Sequence, residues 1–78
     1  MVIKEDLVGE AFTLDNNKEF VIISTYPLDN NIYAYMVNTS NPKDSMFAEI
    51  IFRDEDIFVE ELRDTEIMFK IINMIKNN

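Results

Sequence analysis

Asparagine and aspartate punctuate this chain at nearly even intervals, and that rhythm limits its possible folds more than any other feature. "LDNNK" stands at 14–18, "LDNNI" at 28–32, "SNPKDS" at 40–45 and "RDED" at 53–56. Both residue types tolerate the left-handed backbone and bond their own main chain, so they serve as turn residues. The segments between them are short and rich in β-branched and aromatic side chains. They read as strands at about 11–14, 19–26, 32–38, 46–53 and 57–61. Turns at this spacing produce a meander of antiparallel strands. The two copies of "LDNN" read as two hairpin loops, since their flanks do not match further.

Beyond residue 64 the period changes. Ile67, Ile71, Met74 and Ile75 fall on one stripe, widened by Met68 and Ile72, with Glu66, Lys70, Asn73 and Asn77 opposite. That is the 3.6-residue period of an amphipathic helix, predicted over 65–76. Asp64 is placed to cap it, Glu66 suits the positive end of its dipole and Lys76 the negative end. Glu66 and Lys70 are spaced as an i, i+4 pair. Phe69 lands on the polar side, which the pattern alone does not explain.

The predicted fold class is therefore α+β, an antiparallel meander of about five strands with one C-terminal helix packed on it. At 78 residues the chain is one domain, 1–78, too short for two independent cores. A helix covers only one sheet face, yet "EFVIISTY" and "IYAYMVN" are apolar on both. Phe20 and Ile22 alternate with Val21 and Ile23, and Ile32, Ala34 and Met36 with Tyr33, Tyr35 and Val37. A one-sided meander alternates apolar with polar more cleanly. Three coverings are open: a sheet curled toward a small barrel, the N-terminal segment around Val2, Ile3, Leu7 and Val8, or a second chain in a homodimer. Closure within the chain is preferred because it needs no second component. Gly9 is expected at a bend, and Pro27 and Pro42 near loop starts.

The residue inventory excludes most chemistry. There is no histidine, cysteine or tryptophan and only one glycine. The usual nucleophile–base pairs, thiolate catalysis and glycine-rich phosphate loops are therefore missing. No disulfide and no cysteine-based zinc site can form. The oxygen-rich turns lack the twelve-residue loop, central glycine and terminal glutamate of a dedicated calcium site. We expect no enzyme, no cofactor and no metal. "MVIKEDLVGEAF" does not read as a signal peptide, and no stretch approaches the ~20 apolar residues of a membrane span. The expected address is the cytoplasm.

Net charge is −8, and eight of the fifteen acids lie between Glu49 and Glu66, against Arg53 and Arg63. That charge disfavours direct binding to nucleic acid or to an anionic membrane and permits a partner protein with a basic surface. One reading of Asp54, Glu55, Asp56, Glu60 and Glu61 is nucleic-acid mimicry. Carboxylates at alternate strand positions stand ~6.6 Å apart, comparable to successive phosphates. Adjacent Glu60 and Glu61 nevertheless face opposite sides of a strand. A solvated turn and edge, protected from aggregation by charge, needs fewer assumptions. Tyr33 and Tyr35 share a face, either as a recognition patch or as sheet core and margin.

"FTLDNNKEFVIISTYPLDNNIYAYMVN" followed by "AEIIFRDEDIFVEELRDTEIMFKIINMI" resembles a family of small acidic proteins of unknown function from low-GC Gram-positive bacteria and their phages. The matching pieces are Glu19-Phe20, Tyr33 to Val37, and Glu60-Glu61-Leu62 with Asp64 and Glu66, across about 12 to 76. The chain departs from that pattern in carrying Asn where glycine is common in the turns, and in its fewer acids. The resemblance implies the same meander and helix but no activity.

Two functions are expected from these features. The first is a non-catalytic acidic protein-interaction module of bacterial or phage origin, binding through its sheet face or acidic hairpin, with Asp54, Glu55, Asp56, Glu60, Glu61, Tyr33 and Tyr35 as candidate contacts. The alternative is an anti-CRISPR-like anti-defence inhibitor whose acids occupy a basic channel of a host nuclease.

Overall fold

The structure is a computed structural model and describes residues 7–14 and 16–77. Along the chain come β1 (Ala11–Thr13), β2 (Glu19–Leu28), β3 (Asn31–Asn38), β4 (Asn41–Arg53), β5 (Asp56–Glu61) and α1 (Thr65–Lys76). The strands form one antiparallel sheet in the order β1-β2-β3-β4-β5, curled into a nearly closed barrel with the helix outside it.

The turn residues act as their chemistry requires. Asn17, Asp29 and Asp54 have φ of 63°, 57° and 55°, a region that asparagine and aspartate enter more readily than other residues with a side chain. Asp29 and Asp54 each open a two-residue hairpin loop, joining β2 to β3 and β4 to β5.

The third expected turn is different. Of residues 40–45 only Ser40 lies in the turn; the chain reverses at Thr39 and Ser40, and β4 starts at Asn41. Asn38 pairs with Asn41 but Val37 pairs with Ser45, so Pro42, Lys43 and Asp44 bulge from the ladder. A bulge tolerates a residue that cannot donate a backbone hydrogen bond. Asn38, the one buried polar residue among those described, organises this corner. Its Oδ1 accepts from the Ser40 N–H at 2.8 Å, and its Nδ2 donates to Asp44 Oδ2 at 3.1 Å. Pro27 lies near a loop start as expected, in β2 just before the turn at Asp29. It sits where β2 has passed the end of β1 and forms an open edge.

A second bulge explains how the sheet is apolar on both faces. Ile22 pairs with Met36 and Ser24 with Tyr35, so Ile23 is skipped and stands 48% exposed. Skipping one residue exchanges the faces of everything after it. Before the bulge, Phe20 and Ile22 point into the barrel, where they meet Leu7, Ala34, Met36, Ala48 and Ile50. After it, Tyr26 and Leu28 point outward and pack with Tyr33, Phe47, Leu62 and the helix residues Ile67, Met68 and Ile71. One core is thus enclosed by the curled sheet and the other lies between sheet and helix.

Leu7 completes the inner core, whereas Val8 is exposed; Val2 and Ile3 lie outside the described residues. Gly9 has φ of 95° and its N–H donates to the Ile22 carbonyl at 2.8 Å, holding the bend before β1. The helix has the predicted bounds, and Asp64 Oδ1 accepts from the N–H groups of Glu66 and Ile67. Its buried stripe is narrower than the sequence suggests: Ile71 is fully buried, Ile67, Met68 and Met74 are half-buried, and Ile72 and Ile75 are exposed. Phe69 is 66% exposed, and no segment among the described residues covers it. The ion pairs among the described residues are Lys18–Asp44 and Arg63–Glu61, so the Glu66 and Lys70 spacing is not used. Ordering two long exposed side chains offsets most of what such a pair contributes.

Candidate functional site

The acids singled out in the sequence gather on the β4–β5 hairpin, at the last edge of the sheet. Its residues form strands because Ile50 and Phe52 point into the inner core with Ile51 half-buried on the other side, and Val59 follows opposite Ile50. Register pairs Arg53 with Asp56, Phe52 with Ile57, Ile51 with Phe58, Ile50 with Val59, Glu49 with Glu60 and Ala48 with Glu61. Asp54 and Glu55 form the tip. All five candidate carboxylates, Asp54, Glu55, Asp56, Glu60 and Glu61, are exposed.

The two tyrosines separate. Tyr33 is 2% exposed beneath the helix, and its hydroxyl accepts from Asn31 Nδ2 at 3.3 Å. It is a core residue and offers no surface to a partner. Tyr35 is half-buried, its ring 5.4 Å from that of Phe47 at 51°, a tilted contact that fills the sheet's outer face.

Strand alternation sorts the hairpin's side chains. Val59 belongs to the inner core, so Ile57 and Glu61 share its inward-facing side of β5. Asp56, Phe58 and Glu60 lie on the outward side, with Glu49 directly opposite Glu60. Like charges facing across two strands are destabilising. Little among the described residues offsets this charge. Arg63 approaches Glu61 only to 4.0 Å, with both side chains largely in solvent, so their pairing contributes little. Arg53 lies 6.0 Å from the centroid of the Phe58 ring, at the outer limit of a cation–π contact.

The same alternation fixes where the backbone of β5 points. Leu62 N–H donates to the Phe47 carbonyl, continuing the ladder beyond the strand. Counting back by twos, Glu60, Phe58 and Asp56 turn their backbone groups toward β4, and Ile57, Val59 and Glu61 turn theirs outward. No strand among the described residues pairs with that outer side. Between it and β1, where the barrel fails to close, lies an open cleft of about 890 Å³. Phe12, Thr13 and Leu14 line one wall and residues 57–62 the other, with Glu49, Arg63, Asp64 and Ile67 around them.

Among the described residues, no group of three or more His, Cys, Asp or Glu is placed to hold a metal ion, and no helix is long and apolar enough to cross a membrane. Comparison with protein families, curated proteins and solved structures found no match.

Sequence reasoning found the acids but missed the free backbone edge and the cleft beside it. The opposition of Glu49 to Glu60 was within reach, since a two-residue loop at Asp54-Glu55 dictates it. The gap between β1 and β5 depends on how far the sheet curls, which no local signal reports.

Proposed function

We propose that this chain is a non-catalytic acidic protein-interaction module of bacterial or phage origin, acting in the cytoplasm. Its working surface is the β4–β5 hairpin rather than a sheet face. The observation that carries this reading is the accumulation of exposed, almost unneutralised carboxylates on one element, Asp54, Glu55, Asp56, Glu60 and Glu61. The sheet faces are a poorer candidate, because one lines the barrel and the other lies largely under the helix. Charge of one sign on a protruding hairpin attracts and orients a basic partner, with an effect that salt screens. The resemblance to small acidic proteins agrees with this reading and supplies no competing activity.

The charge-mimic alternative asks for an uninterrupted row of carboxylates. Phe58 stands between Asp56 and Glu60 on the outward side, leaving the two acids ~13 Å apart at ~3.3 Å per residue. We therefore retain the broader reading. The test is affinity capture from a bacterial lysate across a salt series, with the wild-type chain and with a variant carrying Asp54→Lys, Glu55→Lys and Glu60→Lys. A partner released early by salt and lost with the variant supports the reading. Capture that survives both changes overturns it.

A further inference from the structure

We propose that the cleft between β5 and β1 receives an extended, basic segment of a partner protein as an added strand that closes the barrel. This deepens the interaction-module reading and rests on it.

The backbone defines the slot. On one wall, Ile57, Val59 and Glu61 direct outward N–H and C=O groups that no described residue pairs, as the bonding of Leu62 to Phe47 requires. On the other wall, Leu14 bonds to Lys18 and Glu10 accepts from Ile22, so Glu10, Phe12 and Leu14 are turned toward β2. Ala11 and Thr13 therefore direct their groups toward the gap. In an antiparallel meander the first and fifth strands run the same way. One incoming strand is then antiparallel to both and can bond to both at once. Addition of a strand to an open edge supplies affinity through the main chain and selectivity through alternate side chains.

The side chains define the occupant. Toward the barrel, the slot is bordered by Phe12, Ile57 and Val59. Toward solvent it is bordered by Glu60, with Glu49 opposite it and Asp64 nearby. A strand alternating β-branched apolar residues with lysine or arginine matches both sides. A second copy of this chain matches less well, because its β5 carries Asp56, Glu60 and Glu61 and would bring a strand of like charge into the slot. The acids that keep the edge from pairing with itself thus select a basic strand. They stand there although Glu49 and Glu60 repel each other across the ladder.

The test uses the full chain and three fluorescein-labelled peptides. One alternates valine with lysine over nine residues, one replaces lysine with glutamate, and one is the lysine peptide with alternate backbone nitrogens methylated. Binding is read by fluorescence anisotropy and amide exchange by NMR. We expect the lysine peptide to bind at least tenfold more tightly than the glutamate peptide at low salt. It should also slow exchange at Ile57, Val59 and Glu61 at least tenfold, with little change at Phe58 and Glu60, which already bond to β4. Methylation on the edge facing β5 should abolish binding. Binding of the lysine peptide without protection of those amides overturns strand addition and leaves the acidic-hairpin reading standing. Equal binding of all three peptides, or no binding of any, overturns the slot, and the lysate experiment then judges the broader reading alone. Protection of the same amides without peptide, accompanied by a dimer in light scattering, also overturns it by assigning the edge to a second copy.

Discussion

The β2–β3 and β4–β5 hairpins are built on the same turn and end in opposite surroundings. Each has a two-residue loop opened by aspartate, with φ of 57° at Asp29 and 55° at Asp54. The strands leaving the first loop fill both cores: Ile22, Ala34 and Met36 inside the barrel, and Tyr26 and Tyr33 under the helix. The outer strand of the second carries Phe58 at 49% exposure and Ile57 and Glu60 in solvent. Turn chemistry is local and repeats wherever the residues repeat. Burial is a property of position in the sheet, and the last strand has a neighbour on one side only.

Mutations test that contrast. Ile22→Ala removes a fully buried side chain from the central hairpin and should destabilise the fold by about 3 kcal/mol, read as a fall in the urea midpoint at unchanged slope. Phe58→Ala removes a larger group from the edge hairpin and should lower the midpoint far less. Equal losses would mean that the two hairpins do not differ as described.

Asp29→Val and Asp54→Val place a β-branched residue in the left-handed region and should each cost about 1–2 kcal/mol. The two losses should agree despite the difference in burial around the loops. A large disparity would show that the turns are not governed locally.

Asp64→Ala removes the helix cap whose carboxylate accepts from Glu66 and Ile67. A loss of about 1 kcal/mol is expected, with exchange accelerating first at the amides of 66 and 67.

The smallest effect has the opposite sign. Glu60→Gln relieves the repulsion with Glu49 and should stabilise the chain by about 0.5 kcal/mol or less, an increment that shrinks as salt is added. A destabilised variant would mean that Glu60 makes a favourable contact in the folded chain.

Much of this architecture is legible in the residues. The alternation between Asx turns and β-branched segments marks all five strands, and the change to a 3.6-residue period marks the helix to the residue, because capping by Asp64 is a local event. Two kinds of feature escape. Bulges at Ile23 and at 42–44 depend on the partner strand, so Pro42 in "SNPKDS" imitates a loop while lying within β4. Tyr33 and Tyr35 look equivalent by spacing, yet the helix covers one and not the other. Among the candidate contacts, the acids could be listed from sequence. The unpaired amides of 57, 59 and 61 could not, since every strand carries the same backbone.

The residues alone set the order of elements, the turns that join them and the concentration of negative charge near the end of the sheet. All three follow from short-range conformational preference and composition. Tertiary structure decided which faces are buried, how far the sheet curls and that β5 faces β1 across an open cleft. Those outcomes depend on register and on sheet twist accumulated over all the strands, which no segment specifies alone.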